Sequence, residues 1–172
     1  IEGAKSITCG TMHSCALLLD GRVSCWGWNA RGQTGSDIEY TTDARELVVP
    51  EIVPGISEAT QLVAGRVHTC AKTKNGVWCW GEAQLKSQLD ARGHSRNLPV
   101  RVEDLGDVEH IAVKDETTCA VFRDKHVGCW GAGAFSVMQS RPIRAESPLP
   151  VVLPAARSVA VSQYHGCAIL QN

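Results

Sequence analysis

The sequence predicts an all-β protein of the β-propeller class. A Cys- and Trp-bearing unit recurs along the chain, and its landmark cysteines, Cys15, Cys70, Cys119 and Cys167, are separated by 55, 49 and 48 residues. Each unit reads as short strands punctuated by turn residues, without a convincing long amphipathic helix. A period of about 50 residues with several strands per unit lies in the range of propeller blades.

The units align as approximately 4–55, 56–104, 105–153 and a partial 154–172, within a single segment, 1–172. In each, a short apolar strand comes first, as in Ser6-Ile7-Thr8-Cys9 or Gln61-Leu62-Val63-Ala64. A second strand carries Cys-Ala, at Cys15-Ala16, Cys70-Ala71, Cys119-Ala120 and Cys167-Ala168. Asp20-Gly21 and Asn75-Gly76 are hairpin signals, because glycine enters the left-handed region at no steric cost. The third unit has Arg123-Asp124-Lys125-His126 there, so its turn chemistry differs. The third strand ends in Cys-Trp-Gly, at Cys25-Trp26-Gly27, Cys79-Trp80-Gly81 and Cys129-Trp130-Gly131. After a longer variable loop, a fourth strand begins around Pro50, Pro99 or Pro150, and proline fits an outer strand that need not donate a ladder hydrogen bond. Thr60 to Ala64 and Ala83 to Leu89 are the only helix-like stretches, and the first is a strand by analogy with the other units.

The motifs His-x-Cys-Ala, Asp-Gly-x-x-x-Cys-Trp-Gly and Asn29-Ala30-Arg31-Gly32-Gln33-Thr34-Gly35 resemble the regulator of chromosome condensation repeat family. The resemblance covers essentially the whole chain. It is strongest in the first unit; Thr117 replaces the usual histidine in the third, and the Gly-Gln loop has decayed after Gly81 and Gly131. It implies a seven-bladed propeller with four-stranded blades, of which this chain holds about three and a half. It also implies that His13 and His68 make a structural hydrogen bond inside the blade. The added cysteines resemble a secreted, often bacterial, subset of the family.

Eight cysteines at recurring spacings favour a disulfide framework and an oxidising compartment: secreted, extracellular or periplasmic. Cys15 and Cys25, Cys70 and Cys79, and Cys119 and Cys129 each flank one hairpin. Residues facing each other across antiparallel strands lie close enough to bond, so these three disulfides are predicted. Closing a loop of about ten residues stabilises each blade by roughly 2.7 kcal/mol in the chain-entropy model. Cys9 and Cys167 are left unassigned: they pair with each other, with another chain, or with residues outside this segment. His13 with Cys15, or His68 with Cys70, offers two ligands on one strand face, but no Cys-x-x-Cys accompanies them, so no metal site is expected. A catalytic thiol needs an activating base, and the repetition of the cysteines argues against a special one.

Trp26, Trp80 and Trp130 hold one repeat position, which suits packing between adjacent blades. Trp28 and Trp78 are not repeated; they are better candidates for an exposed contact than the repeated three, but burial is still the leading reading for them. Arg92, His94 and Arg96, and Arg141 and Arg144, form small basic clusters. Asp37, Glu39, Glu103 and Asp104 read as solvated loop carboxylates. The 172 residues, 44% hydrophobic, suffice for a buried core, and a formal charge of −1 gives no electrostatic argument for nucleic acid or an anionic membrane. Ile1-Glu2-Gly3-Ala4-Lys5 lacks a signal-peptide pattern. No Gly-x-Ser-x-Gly, His-Glu-x-x-His or phosphate-binding loop occurs, so neither catalysis nor a cofactor is expected.

These readings converge on a secreted or cell-surface, non-catalytic propeller module that binds another protein or a glycan through its loop face. The alternatives are a structural subunit joined through blade edges or Cys9 and Cys167, and an exchange-factor-like or inhibitor propeller. Three and a half units do not close a ring, so the remaining blades are expected from a longer chain or from another copy.

Overall fold

A computed structural model of the chain describes residues 1–36, 46–82, 97–131, 148–162 and 165–171. The described residues form fourteen strands and no helix. Three four-stranded antiparallel meanders follow one another. The first comprises β1 (Ala4–Cys9), β2 (His13–Leu18), β3 (Val23–Trp28) and β4 (Glu46–Ile52). The second comprises β5 (Ala59–Ala64), β6 (His68–Thr73), β7 (Gly76–Gly81) and the short β8 (Val100–Arg101). The third comprises β9 (Val108–Lys114), β10 (Thr117–Phe122), β11 (Val127–Gly131) and β12 (Leu149–Val151). β13 (Ala156–Val161) and β14 (Gly166–Leu170) form a two-stranded sheet. The all-β blade architecture is as the sequence predicts. The stretches Ala83 to Leu89, Asp37 and Glu39, and the basic clusters of Arg92, His94 and Arg96 and of Arg141 and Arg144, lie outside the described residues.

The turn chemistry explains the hairpins. Between β2 and β3, Gly21 takes φ 81° while its N–H bonds the Leu18 carbonyl at 3.0 Å. Lys125 does the same work between β10 and β11, at φ 73°, with its N–H on the Phe122 carbonyl at 2.9 Å. The third unit therefore keeps the same loop without glycine. Asp124 supports it by accepting the His126 N–H at 3.3 Å, and the His126 ring stacks on Phe122 with centroids 4.1 Å apart. The fourth strand differs from expectation in extent. β4 begins at Glu46, upstream of Pro50, because Leu47 is buried and pairs with Gly27 across an irregularity in the ladder.

The sheets stack face to face, and the core lies at their junctions. Cys15, Leu17, Val23 and Cys25 of the first sheet pack against Leu62, Ala71 and Trp80 of the second. Cys70, Val77 and Cys79 meet Ile111, Ala120 and Trp130 of the third. Cys119, Val121, Val127 and Cys129 meet Ala156 and Val159 of the fourth. Neighbouring residues of a strand point to opposite faces. The cysteines thus face the following sheet, and each tryptophan, one residue after a cysteine, faces the preceding one. Trp80 and Trp130 are each 1% exposed, whereas Trp26, on the outer face of the first sheet, is half-buried. Between sheets the chain runs through linkers pinned by buried Val53 and Ile56, then Val102 and Leu105.

Candidate functional site

The register places Cys15 opposite Cys25, Cys70 opposite Cys79 and Cys119 opposite Cys129. All three pairs are bonded, with Cα atoms 4.1 Å apart. Cys9 and Cys167 are free and exposed.

The histidines depart from expectation. His13 Nε2 lies 2.8 Å from Thr69 Oγ1 and His68 Nε2 lies 2.9 Å from Thr118 Oγ1, so each bond joins one sheet to the next and is not internal to a blade. The reason is strand alternation. His13 sits two residues before Cys15 and shares its face toward the following sheet, while the threonine, one residue before the next cysteine, points back. Thr69 also donates its hydroxyl to the Gln33 carbonyl at 2.9 Å. Burial lowers the His13 imidazole to about 4. Burial, and then the charge of His13, lowers His68 to about 3. Both side chains are therefore neutral structural groups near neutral pH. With His13 and His68 bonded to threonines, and Cys15 and Cys70 oxidised, the two-ligand pairs considered for a metal are already committed.

The 29–35 loop is built into the first junction. Asn29 Oδ1 accepts the Thr34 N–H at 3.0 Å and Gln33 Oε1 accepts the Arg31 N–H at 2.8 Å. Asn29, Gln33 and Thr34 are buried despite their polarity. A second polar link joins β5 to β9. The Gln61 amide donates to the Ile111 carbonyl at 2.7 Å and accepts the Ile111 N–H at 2.9 Å, as a strand partner does. Nothing in the repeat marks Gln61, since the aligned residues are Ser6, His110 and Ser158.

The antiparallel order gives the stack two ends. At one end lie the β2–β3, β6–β7 and β10–β11 hairpins and the linkers between sheets. There Lys74 pairs with Glu58 at 2.6 Å, Arg123 with Asp107 at 3.3 Å, and Lys125 with Glu109. A groove of about 330 Å³ between the second and third sheets is lined by Lys72, Lys74, Asp107, Glu109 and Arg123. Its charges largely neutralise one another, so it offers no single-sign surface. Glu103 and Asp104 occupy the neighbouring linker and are exposed. At the other end lie the short turns after β1, β5 and β9, and the long connections 29–45, 82–99 and 132–148 depart from it. Met12 is exposed there, and Arg66 pairs with Glu116. Of the unrepeated tryptophans, Trp78 is half-buried against the first junction and Trp28 is half-buried at the end of β3.

Stacked four-stranded meanders, stapled within each sheet and clasped between sheets, define a β-propeller segment. Residues 4–33 and 20–71 match models of the Regulator of chromosome condensation (RCC1) repeat. Residues 4–71 thus carry repeats of that family. Protein pim1 of Schizosaccharomyces pombe is 32% identical over 162 residues, covering 87% of this chain and 28% of pim1. Among solved structures, human WBSCR16 matches with a TM-score of 0.80 at 19% identity, over 97% of this chain and 44% of its own. Yeast RCC1 (Prp20), solved with Kap60 bound, matches with a TM-score of 0.75 at 20% identity, over 98% and 42%. The ectodomain of the Physcomitrella patens receptor kinase CR4 matches with a TM-score of 0.57 at 21% identity, over 97% and 36%. The chain therefore spans less than half of the length of each of these proteins.

Proposed function

We propose that this chain is a non-catalytic protein-binding propeller module that works in an oxidising compartment, outside the reducing cytosol, and engages its partner through the loop end. The observation that carries the reading is the contrast between scaffold and loops. Three disulfides fix the middle hairpins of consecutive sheets, while the connections that follow β3, β7 and β11, which differ in sequence beyond the buried 29–35 loop, leave the same end. Variable loops on a rigid frame suit recognition. The histidines and paired cysteines that chemistry would recruit are used in junction bonds and staples. The bound state of yeast RCC1 supports protein recognition as a use of this fold, and the CR4 ectodomain supports its use outside the cell.

Two measurements test the reading. Intact mass of natively isolated protein, alkylated before and after reduction, is expected to show six cysteines protected. Eight reactive thiols would remove the oxidising-compartment assignment. Replacing the 82–99 connection with a short Gly-Ser linker is expected to abolish capture of the partner from the protein's own extracellular milieu and leave thermal unfolding nearly unchanged. Undiminished capture by that variant and by matching replacements of 37–45 and 132–148, which leave the buried 29–35 loop in place, would refute the loop-end assignment.

A further inference from the structure

The middle hairpins are not all of one length. Four residues separate Leu18 from Val23, and Phe122 from Val127, but three separate Thr73 from Val77. The bonded cysteines stand 10, 9 and 10 residues apart accordingly. The register identifies the residue that is lost. In the first and third hairpins a left-handed residue, Gly21 or Lys125, bonds back to the end of the strand, at Leu18 or Phe122. In the second, Thr73 pairs directly with Gly76, and Lys74 and Asn75 make the turn without positive φ.

The lost residue has a second task elsewhere. The Gly21 carbonyl accepts the Ala59 N–H at 2.9 Å, and the Lys125 carbonyl accepts the Ala156 N–H at 2.9 Å. Each bond ties a hairpin to the sheet that follows. Val108 holds the position of Ala59 and Ala156, at the head of the first strand of its sheet. Its N–H receives no such bond from the second hairpin among the described residues. Two carbonyls of that hairpin are engaged by side chains instead: Asn75's by Arg101 Nε at 3.0 Å, and Gly76's by the Thr73 hydroxyl at 3.1 Å. Val108 is half-buried and lines the groove of about 330 Å³, which opens where the missing residue would lie. A main-chain donor left in such a place favours any acceptor that can reach it.

One charge of the groove is also unused. Lys74 is paired with Glu58, Arg123 with Asp107, and Glu109 with Lys125. Lys72, two residues after Cys70 and so on the strand face turned to the third sheet, makes no ion pair among the described residues. It is half-buried and lines the same groove.

We propose that this groove is a carboxylate-binding site, in which one oxygen of the ligand accepts the Val108 N–H and the other meets the Lys72 ammonium. A carboxylate offers two acceptor oxygens and a single negative charge. It supplies the acceptor that this junction lacks and balances the cation that has no partner. The site lies at the hairpin end, opposite the long connections, and does not rest on the loop-end reading.

An NMR titration of the isotope-labelled chain reads the Val108 amide directly. The probes are acetate and a capped Gly-Glu-Gly peptide, with chloride at equal ionic strength as the control. A saturable shift of the Val108 amide is expected with the carboxylates and none with chloride. A tighter response to the peptide places the group on a polypeptide side chain, and an equal response places it on a free small acid. Lys72→Met is expected to weaken binding about tenfold, through loss of a charged hydrogen bond. Insertion of one glycine between Asn75 and Gly76 restores the length of the other hairpins. It is expected to abolish the response and to protect the Val108 amide from hydrogen exchange. The proposal is overturned by a Val108 amide that moves with neither carboxylate, by equal movement in chloride, or by undiminished binding in either variant.

Discussion

His13 and Thr69 lie 56 positions apart, in different sheets, and are joined by a 2.8 Å bond that fixes the proton on the imidazole. The hydroxyl hydrogen of Thr69 goes to the Gln33 carbonyl. Thr69 Oγ1 must therefore accept from His13 Nε2–H, which leaves His13 Nδ1 unprotonated, buried and without a partner among the described residues. Thr69→Val removes the acceptor and the donor together and strands a buried N–H and carbonyl. A loss of about 1–3 kcal/mol is expected, with Thr69→Ser closer to the parent. Urea unfolding of the two variants measures this, and an unshifted midpoint for the valine variant would contradict the clasp.

The same geometry sets a pH dependence. The folded pKa values of His13 and His68, about 4 and about 3, lie below the ordinary 6.5. The unfolded chain therefore binds protons first. The stability contribution of these groups is complete above about pH 6.5 and falls as pH drops from there toward the folded values. With both histidines contributing, the slope approaches roughly 3 kcal/mol per pH unit. Unfolding at about pH 7 and about pH 5 is expected to show the decline, and a His13→Gln, His68→Gln variant a flatter profile. Equal slopes in parent and variant would assign the acid sensitivity to other groups.

The tryptophans separate by position. Trp80 is sealed against the Cys15–Cys25 disulfide, and Trp80→Ala is expected to cost about 3–5 kcal/mol. Trp26→Ala, at a half-buried site, is expected to cost distinctly less. Denaturation of both variants under one condition compares them, and equal losses would mean that the junction does not hold the repeat position in common.

Two glycines with the same kind of backbone are expected to respond differently to alanine. Gly81 has φ 89°, and an added Cβ would meet the Val67 carbonyl oxygen at 2.5 Å and Gln33 Cα at 3.0 Å. Gly55 has φ 75°, and a Cβ added there meets nothing within 4 Å among the described residues. Gly55→Ala carries only the left-handed strain of about 1–2 kcal/mol, whereas Gly81→Ala adds a backbone collision and should cost more. Thermal unfolding ranks the two, and the reverse order would refute the close approach at Gly81.

The disulfides were legible in the sequence because their determinants are local. A tight turn fixes the register of two strands, and Cys15 and Cys25, ten apart, then face each other. The blade-to-blade tryptophans were legible from repetition. The clasps were not, because His13 and Thr69 meet only once two sheets stack. A residue such as Gln61, whose amide substitutes for a strand partner of Ile111, has no repeated counterpart to announce it. The buried Gln33 and Thr34 were hidden for another reason. Polar residues in a loop read as solvent-facing until the loop's own hydrogen bonds and its seat between sheets are known. The Lys125 turn shows the converse, since a loop without glycine keeps the geometry when the strands on either side demand it.

The meander order and the 9- or 10-residue separation of bonded cysteines bear on how the chain is made. As residues leave the ribosome in sequence, each hairpin is complete soon after its third strand emerges, and its two thiols are already neighbours. Each new sheet then has a finished surface to settle against. For these three pairs, bond formation can keep pace with synthesis, unit by unit, because neither cysteine of a pair waits for a distant part of the chain.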